Sequence, residues 1–178
     1  MTVTVLPDEF HVVAFDRALI ERIAAETLTA VGLADHDLRI EVDERSLLGR
    51  SETEFGERGI VVRVGSGAFE DTRRPRRQSE TGTRLNLGRV LLRTADRIHG
   101  GFADAPADDD LSLADAAAWE TYCVGRLSRM GIPVFEPRWR YNFRNRHGFS
   151  DAADATFDRL WSADGLTWAE LSSVTAAC

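Results

Sequence analysis

Residues 138–147 read Arg138-Trp-Arg-Tyr-Asn-Phe-Arg-Asn-Arg-His147, and the period assigned to them decides how the second half of the chain folds. At a strand's period of two, Trp139, Tyr141 and Phe143 fall on one face, with Arg138, Arg140, Arg144 and Arg146 on the other. The stretch is therefore expected to be a half-buried strand whose outer face is a rail of guanidinium groups. Each guanidinium offers a planar fork of donors that stays charged near neutral pH, which suits phosphate or carboxylate recognition.

Working outward, Ile132-Pro-Val-Phe135 reads as a strand paired with the rail across Glu136 and Pro137. Ser150 caps a helix carrying Phe157, Leu160 and Trp161, and Asp151, Asp154 and Asp158 lie on one of its faces. Those carboxylates are the natural internal partners of the rail, and pairing with them would neutralise it. Thr167 with Glu170 opens a last helix through Trp168, Leu171 and Val174. Before the rail, Ser112 and Asp115 form a capping box ahead of an apolar stripe through Ala116, Trp119, Cys123, Leu127 and Met130, ended by Gly131.

In the first half, Asp16 to Val31 is a helix with Ile20, Ile23, Ala24 and Leu28 at helical spacing. Asp37 to Asp43 alternates Leu38, Ile40 and Val42 with Arg39, Glu41 and Asp43, as a half-buried strand does, and Gly59-Ile-Val-Val-Arg-Val64 reads as a more buried one. Residues 71–84 hold no large apolar side chain and are expected as a mobile, arginine-rich surface loop. Leu85 to Ile98 returns to helical periodicity, and Asp104 to Asp110 is an acidic connector. The order α-β-β-α-α-β-α-α lacks regular strand–helix alternation, so the expected class is α+β. A small sheet packed by about five helices would make a single globular domain over 1–178.

The chain has 178 residues, 43% hydrophobic and 29% charged, which is ordinary for a folded protein. Its 22 basic residues are all arginine, a bias that GC-rich coding produces and that weakens arguments from arginine abundance alone. The first residues, Met1 to Pro7, have no basic start, and Asp8 and Glu9 break any signal-like run; a cytoplasmic location without membrane contact is expected. Cys123 is expected as a small core residue and Cys178 as an exposed chain end, both free thiols.

A net charge of −7 argues against polyanion binding by the whole surface, so any such site must be local. Arg73, Arg74, Arg76 and Arg77, followed by Arg84, Arg89, Arg93 and Arg97, make a second basic cluster; residues 104–120 answer it with six carboxylates and no arginine. That segregation fits an anionic partner, a self-neutralising surface, or a contact between copies of the chain. His11, His36, His99 and His147 show no metal-ligand spacing, Asp108-Asp109-Asp110 lacks the alternate spacing of a calcium loop, and no cofactor motif appears. Gly65-Ser66-Gly67 follows a strand but lacks the rest of a phosphate-binding fingerprint, so a turn is expected there.

An N-terminal helix, two strands, an extended loop and a helix over the first 100 residues resemble the opening of minimal zinc-metallopeptidase domains. Leu91 to Gly100 would then occupy the place of the family's His-Glu-x-x-His helix. Arg93, Thr94 and Arg97 stand where that motif puts its ligands and base, and only His99 could bind metal. The resemblance thus implies a related fold without zinc chemistry.

The functional expectation is a binding or accessory module recognising an anionic ligand, an acidic protein or a nucleic acid. Arg138, Arg140, Arg144 and Arg146 would supply the contacts, joined by Arg73, Arg74, Arg76 and Arg77. The competing readings are a hydrolase-like enzyme, with His147 and Asp151 or Asp154 as an acid–base pair, and a structural partner subunit docked through the Trp168 helix.

Overall fold

Short β-branched runs build the sheet, seen in a computed structural model that describes residues 1–57 and 59–176. Cys178 lies outside the described residues. Strands β1 (Val3–Leu6), β2 (Leu38–Asp43), β3 (Ser51–Gly56) and β4 (Gly59–Gly65) stand in the order β1-β2-β4-β3. β1, β2 and β4 are mutually parallel and β3 is antiparallel to β4, with Ile40 opposite both Val5 and Val62. The contacts divide the chain into two compact units, Met1–Thr94 and a second from Ala95 onward.

In the first unit, the Asp16 carboxylate accepts from the Leu19 amide and starts helix α1 (Arg17–Ala30), which buries Ile20, Ile23, Ala24 and Leu28. The inward residues of β2 and β4, from Leu38 to Val42 and Ile60 to Val64, complete this core. The other sheet face carries charges laid across the strands: Glu41 accepts from Arg63 at 3.1 Å and pairs with Arg39 at 2.8 Å. Gly59 sits at φ 97°, where an added Cβ would stand 2.5 Å from the Asp37 carbonyl oxygen, so only glycine fits that turn.

Residues 71–84 are not a loop. They form a hairpin of β5 (Glu70–Asp71) and β6 (Arg74–Gln78), then the first turn of α2 (Glu80–His99), which starts at Glu80 rather than Leu85. Main-chain bonds substitute for the missing apolar side chains: the Ala14 amide donates to the Arg76 carbonyl at 2.7 Å and the Ser79 amide to the Phe69 carbonyl at 2.7 Å. β1 and β3 were unread because one is four residues long and the other is a polar edge strand whose pairing lies on one side only.

The second unit is helical: α3 (Leu113–Arg129), α4 (Glu136–His147), α5 (Asp151–Ser162) and α6 (Trp168–Ala176) follow the last residues of α2. Ser112 and Ser150 cap α3 and α5 by accepting from the Asp115 and Ala153 amides at 3.0 and 3.1 Å. α3 lies against α4, α5 and α6. Trp119, Tyr122, Phe157 and Leu160 are fully buried, and Phe102 stacks on Trp119 with ring centroids 4.7 Å apart. The carboxylate of Asp96 is sunk in this core. It accepts from Trp119 Nε1 at 2.8 Å and is gripped by both terminal nitrogens of Arg126 at 2.8 and 2.6 Å. The whole is a mixed α+β fold of six helices, a four-stranded mixed sheet and a two-stranded hairpin among the described residues.

The expected rail strand is α4, and Ile132 to Phe135 forms no strand beside it. Pro137 in the first turn suits a helix start, the Glu136–Arg140 pair spans one turn at 2.8 Å, and Gly148 closes the helix at φ 98°. Trp139 and Phe143, spaced by four, share a face under either period, so they could not distinguish strand from helix. Tyr141 does: it is 58% exposed, where a strand would have buried it with its neighbours.

Candidate functional site

Winding the rail into a helix splits its four arginines. Arg140 and Arg144, one turn apart, face α5. Arg140 donates to Glu136 at 2.8 Å and to Asp158 at 2.5 Å, while Arg144 holds Asp154 through Nε at 2.7 Å and Nη2 at 2.5 Å. The hydrogen bond from Arg144 comes first in holding the Asp154 carboxyl below its ordinary range. Arg140 also lies 4.3 Å over the Phe157 ring. Half the rail is thus joined to the carboxylates of the next helix, and those side chains act as a clasp. Arg138 and Arg146 are exposed on the other side, with no ion pair among the described residues.

The second predicted cluster is brought together by its hairpin. Arg73 and Arg77 are exposed and have no carboxylate in ion-pair range among the described residues; Arg74 stands 3.7 Å from Asp71. Arg76, at φ 67°, turns inward and donates to the Glu44 carbonyl at 3.0 Å, tying the hairpin to the loop after β2. Arg45 of that loop is exposed and also lacks a carboxylate partner among the described residues. Arg50, at the loop's far end, pairs with Glu52 at 2.9 Å.

What keeps these cations available is the fate of the carboxylates beside them. Glu44 spends one oxygen on the backbone amides of His11, Val12 and Val13, at 2.8, 2.6 and 3.3 Å. Partial burial opposes its ionisation, but these three amides outweigh the burial and hold the carboxyl below its ordinary value. Glu70 accepts from the Arg76 amide at 3.0 Å and the Ser66 hydroxyl at 2.8 Å, and the amide leads in lowering its carboxyl. Asp71 accepts from the Arg73 amide at 2.9 Å. Negative charge at this edge is directed onto the main chain, leaving arginine side chains outward.

The loop after β2 is fixed by Gly65 and Gly67. A Cβ on Gly67 would lie 2.1 Å from the Leu47 carbonyl oxygen, and one on Gly65 2.4 Å from that of Leu48. This is the role of Gly65-Ser66-Gly67: the glycines admit a neighbouring backbone, and the single Ser66 hydroxyl proton is shared between Glu70 at 2.8 Å and the Ser46 carbonyl at 3.0 Å. A cleft of about 760 Å³ opens here at the carboxyl ends of β1, β2 and β4, its lining including Pro7, His11, Asp43, Arg45 and Arg50. The ends of parallel strands are where open sheets commonly receive ligands.

Other expected groups fall elsewhere. His147 stacks on Phe143 with ring centroids 4.0 Å apart, and its Nε2 meets the Ala114 carbonyl at 3.0 Å. Its expected acid–base pairing does not form: Asp154 is held by Arg144, and Asp151 stands exposed in the first turn of α5. In the helix that resembled a metallopeptidase motif, Thr94 bonds the Val90 carbonyl and Arg97 the Ala105 and Pro106 carbonyls and Asp108. Among the described residues no group of three or more metal-ligating side chains converges, and no helix is long and apolar enough to cross a membrane. No protein-family model, curated protein or solved structure matches this chain.

Sequence reasoning found the hairpin arginines by their density. It missed Arg45, because the amides that occupy Glu44 come from more than thirty positions away. The available signal was the Gly65-Ser66-Gly67 spacing, which marks a close backbone approach.

Proposed function

We propose that this protein is a binding module that recognises an anionic partner through the basic edge of its first unit. Arg45, Arg73 and Arg77 are the contact cations, and Arg50 and Arg74 stand at the margin. One observation carries the reading: Glu44, Glu70 and one oxygen of Asp71 are turned onto backbone amides, so Arg45, Arg73 and Arg77 are left to solvent while Arg74 keeps a carboxylate, Asp71 at 3.7 Å. Guanidinium groups in such a setting bind phosphate, sulfate or carboxylate without first breaking an internal pair.

The test is retention on heparin over a salt gradient, beside urea unfolding. The wild-type protein should be retained at low salt, and Arg73→Glu with Arg77→Glu should elute early with an unchanged unfolding midpoint, because neither side chain supports the fold. Arg140→Glu with Arg144→Glu should do the reverse, lowering the midpoint by setting like charges against Asp154 and Asp158 while leaving retention close to the parent's. A parent protein with no salt-sensitive retention would remove the proposal.

A further inference from the structure

The cleft at the carboxyl ends of β1, β2 and β4 carries a combination that the hairpin arginines do not. Its volume of about 760 Å³ is that of a small-molecule site. Leu6 and Pro7, where β1 ends, and Val12, in the loop that follows, supply an apolar wall, and Val12 is 44% exposed. Leu47 and Leu48, in the loop that rims the cleft, are 62% and 67% exposed. Aliphatic side chains are thus left in water at one end of the sheet, and the core between α1 and the sheet makes no use of them. The polar side of the cleft has most of its charges matched. Glu41 lies between Arg39 at 2.8 Å and Arg63 at 3.1 Å, Glu52 pairs with Arg50 at 2.9 Å, and Glu44 is turned onto the amides of residues 11–13. One oxygen of Asp43 accepts from the Arg45 amide at 3.0 Å. The Arg45 guanidinium is left without a carboxylate in ion-pair range among the described residues.

We propose that this cleft binds an aliphatic carboxylate, a single acidic group on an alkyl chain. The planar fork of Arg45 matches one carboxylate in bidentate fashion and is charged at any pH near neutral. The wall of Leu6, Pro7 and Val12 takes the chain, and each methylene moved out of water adds about fourfold to affinity. The proposal shares Arg45 with the basic edge but does not rest on that reading, since Arg73 and Arg77 do not line the cleft.

The lining selects this ligand against its competitors. Among the described residues no phenylalanine, tyrosine or tryptophan lines the cleft, so a nucleotide base or another flat ring has no aromatic face to stack on. A di- or triphosphate asks for several cations at once, and Arg39, Arg50 and Arg63 are already paired. A cationic amphiphile would find the second oxygen of Asp43, but with the Arg45 guanidinium in the same cleft to repel it.

Isothermal titration calorimetry on the full chain tests this with decanoate, acetate and decyltrimethylammonium, each below the concentration at which it forms micelles. Decanoate should bind at a single site and at least about tenfold more tightly than either of the others, a margin that two buried methylenes supply over acetate. Arg45→Gln should weaken decanoate at least about tenfold, as expected for the loss of charge-assisted hydrogen bonds, and leave the urea midpoint unchanged because the side chain is exposed and unpaired. Arg45→Lys should keep most of the affinity, and Val12→Asn should weaken decanoate while leaving acetate as it was. The inference is overturned by no binding of decanoate, by acetate or the cationic probe binding as tightly, by parental affinity in Arg45→Gln, or by several decanoates per chain whose binding is lost in Leu47→Ser with Leu48→Ser, which is adsorption to the exposed loop. Arg73→Glu with Arg77→Glu should lose heparin retention and bind decanoate as the parent does, so the failure of this site is distinct from the failure of the basic edge.

Discussion

Tyr141 and Trp139 differ by two positions and should differ by most of the stability one aromatic can confer. Trp139 is buried against the neighbouring helices, whereas Tyr141 is 58% exposed. Trp139→Ala should cost about 3 to 5 kcal/mol by leaving a cavity, and Tyr141→Ala within about 0.5 kcal/mol of nothing. Urea midpoints for the two variants check it. Equal losses would restore the two-faced strand and remove α4. The buried pair of Asp96 and Arg126 makes a second contrast, since Asp96 is 4% exposed and has its charge satisfied by Arg126 and Trp119. Arg126→Ala would strand that carboxylate in the core and should destabilise by about 3 to 5 kcal/mol, also read as a urea midpoint. A loss below about 1 kcal/mol would show that water reaches Asp96.

At the scale of elements, α4 shows where sequence reading is weakest. Helices α1, α3 and α5 were legible because their caps and apolar spacing are local, at Asp16, Ser112 and Ser150. β2 and β4 were legible because one alternates and the other is β-branched throughout its centre. α4 was not, because a spacing of four belongs to both periods; the signals against a strand were Asn142, Asn145 and Pro137, which favour turns and helix starts over ladders. His147, the last residue of α4, gives this packing a pH signature. Burial pushes its imidazole below the ordinary value, against the opposing pull of the Ala114 carbonyl and the Asp115 carboxylate. The unfolded chain takes up a proton near pH 6.5 while the folded chain resists it. Stability is therefore complete above about pH 6.5 and falls as the pH drops toward the lower folded value. Urea midpoints between about pH 7 and 5 should decline in the wild type and flatten over that window in His147→Gln, and the same slope in both would separate His147 from the effect.

Over the whole molecule, a net charge of −7 and a local basic edge act at different ranges. The class of fold could be read from the mixture of elements, and so could the density of arginine at 73–77. The availability of Arg45 could not, because it depends on Glu44 meeting the amides of residues 11–13, a contact that no local pattern encodes. This difference sets how binding should respond to salt. Contacts made by three cations release counterions in proportion, so the logarithm of heparin affinity should fall against the logarithm of salt with a slope of about −2 to −3. The overall negative charge contributes a repulsion that salt screens as well, which keeps the slope from being steeper. Replacing Arg73 and Arg77 by glutamate should make the slope shallower by about 2, leaving Arg45 and the marginal cations. If the slope stays at its parental value while affinity drops, the two arginines act through the shape of the hairpin rather than through charge, and the contact cations must be sought elsewhere on the protein.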